Sequence, residues 1–323
     1  MNKFAITMGD PCGIGPEIIV KALQKQPQYI NSAIIFGNAA MFNFYRKKLH
    51  LAVGVHEMKT HLDFQKGFCN VYDPNPVLLD RFKIGQINAL GGDCAYKYVI
   101  SAIGAALASE ISFITTAPLN KKAMHLAKHF FDGHTEIFAK LSKTENYAML
   151  LWSPKLKCIH VSSHISLIQA CKTLNTARII NVIKLADSAL KKLGCKKPRI
   201  AVAGLNPHAS EDGLFGDEEK KIISPAVKKC KRLGINVTGP HPPDTVFLKA
   251  YEGRYDIVVG MYHDQGHIPI KLLSFDTGVN ITVGLGIVRT SVDHGTAFDI
   301  AGKFQANCDS LLQAIILGRK LSK

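Results

Sequence analysis

Short β-rich segments alternate with amphipathic helical segments along the whole 323-residue chain. The segments that predict strands are Lys3–Met8, Ala33–Gly37, Ile111–Thr115, Tyr147–Trp152, Cys158–Ser162, Arg199–Ala203, Asp256–Gly260 and Val279–Val283. The longest segments that predict helices are Ile84–Ser109, Thr176–Leu193, Asp217–Leu233 and Cys308–Leu321. This alternation is typical of an α/β fold with a mainly parallel sheet, because parallel strands need helical crossovers. Most polar motifs follow predicted strands, which is where open α/β sheets bind ligands.

The chain is strongly basic, with a formal net charge of +15, so nucleic acid is the first partner to consider. Lysines cluster at Lys191, Lys192, Lys196 and Lys197, and again at Lys220, Lys221, Lys228, Lys229, Lys231 and Arg232. The clusters lie on predicted outer helix faces, without interleaved aromatic residues or a nucleic-acid motif. A solvated surface is the favoured interpretation, and a basic nucleic-acid-binding protein is the alternative.

Cysteine spacing and hydropathy indicate the compartment. The eight cysteines include no CxxC pair, which favours reduced thiols over a zinc ribbon or a disulfide framework. No apolar run approaches the roughly 18 residues of a membrane span, and the N-terminus lacks the apolar core of a signal peptide. We therefore expect a cytoplasmic globular protein that has no membrane partner.

Three histidines stand in separate polar turns after predicted strands. They are His164 after Ser162-Ser163, His208 in Asn206-Pro207-His208-Ala209-Ser210-Glu211, and His263 in Met261-Tyr262-His263-Asp264. A single histidine is more often a satisfied polar residue than a ligand, but three at strand ends favour a metal site. Three imidazoles leave coordination positions open for a substrate, as catalytic metal sites require. Asp264 and Asp212 are candidate acceptors that orient the imidazoles.

Two further segments suit an anionic group. Thr115-Thr116-Ala117-Pro118-Leu119-Asn120-Lys121, followed by His134-Thr135-Glu136, brings hydroxyls, a lysine and an imidazole to a strand end and a helix start. Helix capping by Asn120 and Thr135 is an equally good explanation. The second segment runs from Lys271 to Ser291, and its Asn280 and Arg289 predict a phosphate site. An ordinary surface lysine and arginine are the alternative there.

Two glycine-containing segments are candidates for cofactor binding. Thr7–Glu17 is a glycine-rich turn between a strand and a helix, but it lacks the third glycine of the dinucleotide fingerprint and is equally consistent with a tight turn. Asp293–Lys303 has small residues that permit the close approach of a flat ligand, or it is simply a loop before the last helix. Its candidate contacts are Gly295, Thr296, Ala297 and Asp299, the last as acceptor from a ribose hydroxyl.

From Gly9 to Lys303, the ordered combination of these segments closely resembles the 4-hydroxythreonine-4-phosphate dehydrogenase family of vitamin B6 biosynthesis. The stretch His294–Lys303 also resembles the adenosine loop of isocitrate and isopropylmalate dehydrogenases, which implies NAD, or NADP, as cofactor. The resemblance implies a metal site of His164, His208 and His263. It implies a phosphorylated substrate held by His134, Thr135, Lys271, Asn280 and Arg289.

The resemblance also implies an isocitrate-dehydrogenase-like α/β/α fold with two lobes and an active-site cleft between them. We expect residues 1–120 with 285–323 to form the cofactor lobe, and residues 121–284 to form the metal, substrate and dimer lobe. A homodimer is implied, with a shared active site that takes one histidine from the partner chain. We expect that histidine to be His263. Each subunit would hold one divalent ion, Zn²⁺, Mg²⁺ or Co²⁺.

The expected reaction is NAD-linked oxidation of 4-phosphohydroxy-L-threonine, followed by decarboxylation to 3-amino-2-oxopropyl phosphate, with one metal ion serving both steps. Asp264 and Lys271 are the alternatives for the residue that takes the proton. The nearest alternative substrate is 4-phospho-D-threonate or 4-phospho-D-erythronate. Two residues beside predicted ligands depart from the family pattern: Ser166 stands where a proline is common, and Ser210 stands in a stretch that reads NPHAGE in the family.

Overall fold

The computed structural model describes residues 2–60, 62–274 and 277–323, and the chain divides into two compact units. The first unit contains the chain up to Thr144 together with Leu285–Ser322. The second unit is Glu145–Gly284.

The first unit is built on a parallel sheet. In spatial order its strands are β3 (Val55–Met58), β4 (Cys69–Tyr72), β2 (Ala33–Phe36), β1 (Phe4–Thr7), β5 (Ile114–Thr116) and β12 (Arg289–Val292). Every neighbouring pair is parallel. Its helices are α1 (Gly15–Lys25), α2 (Ala39–Lys48), α3 (Ala89–Leu107), α4 (Lys121–Leu126), α5 (His134–Leu141) and α11 (Asp309–Leu321). The central strands β1 and β2 are completely buried, as expected for a sheet covered on both faces.

The chain crosses from the first unit to the second after Thr144. Helices α4 and α5 pack against α3 and belong to the first unit. The predicted lobes, residues 1–120 with 285–323 and residues 121–284, stay a prediction. Both helices are short, and no change in composition marks the crossing. The roles of the two lobes, cofactor on one side and metal on the other, stay predictions.

The second unit has a mixed sheet. Its strands, in spatial order, are β11 (Val279–Val283), β6 (Ala148–Trp152), β7 (Lys157–His160), β10 (Ile257–Gly260), β8 (Ile200–Ala203) and β9 (Val237–His241). Strand β6 is antiparallel to β7 and to β11. A turn too short for a crossover helix joins β6 to β7, so those two strands are necessarily antiparallel. Its helices are α6 (Leu167–Thr173), α7 (Thr176–Lys192), α8 (Ser224–Arg232), α9 (Pro243–Tyr251) and α10 (His263–Ser274).

The cysteines and the lysine clusters have the states and positions described next. All eight cysteines are free thiols. Basic residues occupy the last turns of α7 and α8, where a cation offsets the negative end of the helix dipole. Within the described ranges, no helix is long and apolar enough to cross a membrane.

Candidate active site

Arg289 is the centre of a group of buried polar side chains in the first unit. It begins β12 and is only 3% exposed. Its Nη2 donates to Thr116 Oγ1 at 3.1 Å, and its Nη1 lies 3.4 Å from Thr135 Oγ1. Burial lowers the pKa of Arg289 to about 9, while the nearby Glu136 carboxylate acts in the opposite direction. The guanidinium therefore stays charged at neutral pH, in surroundings that favour an anionic ligand.

His134 and Thr135 add the start of a helix to this pocket. They are the first two residues of α5, whose N-cap Gly133 provides no side-chain cap, and the start of a helix favours an anion. The His134 Nε2 atom is buried and has no hydrogen-bond partner. Burial, with a smaller contribution from Arg289, holds the pKa of His134 well below its usual value, so the ring is neutral. We call Thr116, His134, Thr135 and Arg289 the arginine pocket.

The structure thus brings together three of the five residues predicted to bind substrate. It adds Thr116, which the sequence analysis placed in an anion-binding motif but did not name as a contact. Asn280 and Lys271 belong to the second unit, in β11 and α10. The Asn280 Oδ1 atom is buried without a hydrogen-bond partner. The participation of both residues in substrate binding stays a prediction.

His164 and His263 meet in the second unit. Their ring centroids lie 6.0 Å apart, beside an open depression of about 380 Å³. Ser163–Leu167 and Tyr262–Asp264 line this depression. The His263 Nδ1 atom donates to Asp264 Oδ1 at 2.6 Å, which leaves Nε2 as the ring nitrogen for a metal. A carboxylate that fixes the tautomer in this way is a common partner of metal-binding histidines.

Two histidines that the sequence analysis did not select complete this cluster. The His267 ring stacks on His263 at 3.5 Å between centroids, and its Nδ1 donates to the His263 carbonyl oxygen at 3.0 Å. His160, at the end of β7, donates from Nδ1 to the Met149 carbonyl oxygen at 3.3 Å. Burial lowers the pKa of His160 to about 4 and that of His267 to about 3, so both rings are neutral at pH 7. The spacing of His263 and His267, four residues apart on a helix, is the signal that places them on one face.

His208 lies in a different turn. It is exposed, and its ring centroid is 6.2 Å from that of Phe215. Among the residues that the structure describes, no group of three or more histidine, cysteine, aspartate or glutamate side chains is arranged to hold a metal. His164 and His263 therefore meet within one chain, while His208 lies in a separate turn. That the three histidines form one metal site, and that one of them comes from a partner chain, stays a prediction.

The predicted cofactor residues form a loop against the glycine-rich turn of the first unit. The Ile14 backbone N–H donates to the Thr296 carbonyl oxygen at 3.0 Å. A side chain at Gly13 would lie 2.8 Å from the same oxygen, so this contact requires glycine. Thr296 is buried, whereas Gly295 and Asp299 are exposed. A Cβ atom on Gly295 would meet only open space, which fits a flat ligand beside this loop.

Comparisons with known proteins identify the family of this chain. Residues 29–318 match the family model described as pyridoxal phosphate biosynthetic protein PdxA. The chain belongs to the PdxA family. It is 50% identical to the D-threonate 4-phosphate dehydrogenase of Salmonella typhimurium, over 99% of both chains. The crystal structure of 4-hydroxythreonine-4-phosphate dehydrogenase from Klebsiella pneumoniae is similar with a TM-score of 0.85 and 46% identity, over 100% of both chains.

The prediction of an isocitrate-dehydrogenase-like fold is confirmed as well. Isocitrate dehydrogenase from Methylococcus capsulatus is similar in fold, with a TM-score of 0.50 and 13% identity over 98% of this chain and 85% of that one.

The reaction class follows from the family. Because the chain belongs to the PdxA family, whose members named above are dehydrogenases, it is an oxidoreductase.

The two departures from the PdxA pattern now have structural explanations. Ser166 is the N-cap of α6, and its side chain accepts from the Gln169 N–H at 3.2 Å. Ser210 has φ = 70°, a left-handed conformation that glycine adopts at lower cost. Neither residue is a predicted ligand, so both departures leave the predicted metal site intact.

Proposed function

We propose that this chain is a metal-dependent, NAD-linked dehydrogenase that oxidises and then decarboxylates a phosphorylated four-carbon hydroxy acid. The arginine pocket is the observation that supports this most directly. A buried guanidinium beside two hydroxyls and the N-terminus of a helix suits a phosphate dianion, which accepts several hydrogen bonds at once. Oxidation of the hydroxyl β to a carboxylate gives a β-keto acid, which readily loses carbon dioxide.

Two substrates fit this chemistry, and they differ at C2. With an amino group at C2, 4-phosphohydroxy-L-threonine would give 3-amino-2-oxopropyl phosphate and serve vitamin B6 synthesis. With a hydroxyl at C2, D-threonate 4-phosphate would give dihydroxyacetone phosphate. The second candidate is favoured by the 50% identity to the Salmonella typhimurium enzyme that carries that name.

His164 and His263 would hold a divalent metal ion, together with His208 from a second copy of the chain. The two imidazoles that meet in one chain, one of them oriented by Asp264, fit an ion that prefers nitrogen ligands, such as Zn²⁺ or Co²⁺, better than Mg²⁺. Such an ion would supply Lewis acidity to the oxygen atoms of the substrate. This proposal replaces our expectation that His263 crosses to the partner chain.

Exposed apolar residues beside all three histidines support a homodimer with a shared site. They are Ile165, Leu167 and Ile168 after His164, Leu214 and Phe215 after His208, and Ile268 and Leu272 after His263. Exposed large apolar side chains are typical of protein–protein interfaces when they cluster. A second copy of the chain would cover it and bring His208 to the other two histidines.

Of the two candidates for proton transfer, Lys271 is favoured. The Asp264 carboxylate already accepts from His263 at 2.6 Å, so it orients a ligand instead of exchanging a proton. Lys271 follows His263 and His267 on α10 at intervals of four residues, so the three lie along one side of the helix. A lysine there would transfer the proton at the carbon that loses carbon dioxide. NAD would lie at the loop of Gly295, Thr296, Ala297 and Asp299.

The proposal is tested by the absorbance of NADH during incubation of the purified protein with NAD and each of three compounds. These are 4-phosphohydroxy-L-threonine, D-threonate 4-phosphate and the unphosphorylated form of whichever is active. We expect NADH and carbon dioxide in equal amounts from a phosphorylated compound, abolished by a chelator and restored by Zn²⁺ or Co²⁺. Turnover that persists in metal-free protein would reject the role of the ion, and equal turnover of the unphosphorylated compound would reject the arginine pocket as phosphate site.

A further inference from the structure

The turn that carries His208 has an unusual backbone. Five consecutive residues, His208, Ala209, Ser210, Glu211 and Asp212, have φ values of 53°, 55°, 70°, 44° and 54°. Left-handed conformations are unfavourable for residues with a Cβ atom, and a run of them persists only where surrounding contacts enforce it. The question is therefore which contacts hold this turn.

A buried carboxylate anchors the entrance of the turn. Glu219 is only 3% exposed, and its Oε1 accepts from the backbone N–H groups of Leu205 at 2.7 Å and Asn206 at 2.8 Å. Its Oε2 accepts from Asn206 Nδ2 at 2.9 Å. The same Nδ2 atom donates to Glu218 Oε2 at 2.7 Å. The segment immediately before Pro207 and His208 is thus fixed in position and direction.

The surroundings leave little room for this segment to move. Gly204 lies so close to Ala209 and Glu219 that a Cβ atom there would be 2.9 Å from the Ala209 Cα and 3.0 Å from Glu219 Oε1. At the far end of the turn, the Phe215 N–H donates to the Ser210 carbonyl oxygen at 3.1 Å. Among the described residues, the Glu219 carboxylate accepts hydrogen bonds from Leu205 and Asn206, so it binds one short segment.

We propose that Glu219 is a positioning residue for His208. Its carboxylate holds residues 205–206 and thereby keeps His208 in the orientation that presents its imidazole to the metal site of a second copy of the chain. This inference rests on the proposed function, because it assumes that His208 binds the metal. Burying a charge is unfavourable, and hydrogen bonds from two backbone N–H groups and an amide offset that penalty only while the turn keeps this shape.

Cobalt binding to the metal-free dimer tests the proposal, because Co²⁺ has visible absorption bands that depend on its ligands. We expect Glu219→Ala to weaken Co²⁺ binding by about 10- to 100-fold and to shift the bands toward those of His208→Ala. Glu219→Gln, whose amide oxygen still accepts from both backbone N–H groups, should weaken binding by only about threefold. The matched control is Glu211→Gln, which removes an exposed carboxylate from the same turn and should leave Co²⁺ affinity unchanged.

The double variant Glu219→Ala/His208→Ala separates positioning from a general loss of structure. If Glu219 acts through His208, the double variant binds Co²⁺ no more weakly than His208→Ala alone. If the two effects multiply, Glu219 stabilises the unit by another route and the inference is wrong. Should Glu219→Ala fail to fold, the double variant is made with Glu219→Gln and the same comparison applies.

Hydrogen exchange without metal distinguishes failure of this inference from failure of the proposed function. Glu219→Ala should speed exchange within residues 207–216 while α7 and β10 keep their protection. Unchanged exchange there overturns the positioning role, whatever the metal does. If instead wild-type protein binds no Co²⁺, or His208→Ala binds it as tightly as wild type, the metal assignment itself is wrong and the inference falls with it.

Discussion

The arginine pocket and the histidine cluster differ in how deeply their residues are buried. In the pocket, Arg289 is 3% exposed and has two threonine hydroxyls beside it. In the cluster, His164 and His263 line an open depression, and the third predicted ligand, His208, is exposed in another turn. In our proposal one unit therefore binds the phosphate by itself, whereas the metal site also needs His208 of a second copy of the chain.

The difference follows from the chemistry of the groups. An arginine loses solvation when it is buried, which is why the pKa of Arg289 falls to about 9, and a bound phosphate would offset this loss. Exposed histidines keep their solvation, so in our proposal they need no ligand until a partner chain adds the third imidazole. We therefore expect the phosphate affinity to be independent of protein concentration, and the metal affinity to fall as the protein is diluted below its dimer dissociation constant.

The largest effect is expected when histidine variants are mixed. Each of His164→Ala, His208→Ala and His263→Ala should lose more than about 1000-fold in activity, because losing a ligand costs more than losing a residue that merely supports one. If His208 crosses between subunits, mixing His164→Ala with His208→Ala restores one complete site in each heterodimer, or about a quarter of wild-type activity.

The matched control is the mixture of His164→Ala with His263→Ala. These two histidines belong to the same site in our proposal, so every site in the heterodimer lacks one ligand. Activity should stay at the level of the single variants after subunit exchange by dilution and reconcentration. Recovery in this mixture, with none in the other, would place His263 in trans, as the sequence analysis expected.

A smaller effect is expected from Arg289→Met. Losing the buried cation should lower kcat/KM for the phosphorylated substrate by about 100-fold, because truncating one partner of a buried charged contact costs about 2–5 kcal/mol. Arg289→Lys keeps the charge but not the two-pronged geometry and should lose about tenfold. The unphosphorylated compound is the control: its slow turnover should barely change. An equal loss with both compounds would contradict the assignment of the pocket to phosphate.

Sequence patterns predicted the parts of the molecule that depend on local chemistry. All eight predicted strands are present, because runs such as Ala33–Phe36 and Ile257–Gly260 are apolar enough to be buried from end to end. Four strands were not predicted. Strand β9 contains Gly239 and Pro240, and β3 is largely accessible, so neither shows a buried strand pattern. Strand β12 is buried but reads Arg-Thr-Ser-Val, because it carries the arginine pocket.

The parts of the site that depend on distant contacts could not be predicted. The side chain of Thr116 meets Arg289 only because β5 and β12 are neighbouring parallel strands. His160 lies close to His263 and His267 because β7 and β10 are paired strands. The spacing of these histidines along the chain does not reveal that pairing.

Asp10 is a second buried charged residue in the first unit, and it tests whether burial of a charge is generally unfavourable there. Asp10 is completely buried, one of its oxygens has no hydrogen-bond partner, and burial raises its pKa to about 6. An acid whose pKa is higher in the folded state than in the unfolded state contributes stability at low pH that is lost as the pH rises from about 4 to 6. Asp10→Asn should therefore be more stable than wild type at pH 8, by about 1–3 kcal/mol, with the difference vanishing near pH 4.

Urea unfolding at several pH values measures this difference. Asp80→Asn, which neutralises an exposed carboxylate of the same unit, should show the same pH dependence as wild type. A difference between wild type and Asp10→Asn that grows at low pH would contradict the burial argument. The result bears on the arginine pocket as well, since it shows whether burying a charged group lowers the stability of this unit when no ligand is bound.

The smallest effect is expected at Ser166, which lines the open depression beside His164 and His263. Ser166→Ala removes the N-cap of α6, and a lost cap costs about 1 kcal/mol. Because α6 is short and exposed, the loss should appear as faster hydrogen exchange within residues 167–173 and leave global unfolding unchanged. Ser166→Asp keeps a capping oxygen and should restore protection. Ser166 is two residues from His164, and we expect Co²⁺ affinity to fall by no more than about threefold. Complete loss of metal binding would mean that this turn determines the site as strictly as Arg289 determines the arginine pocket. The difference that we draw between the two sites would then be wrong.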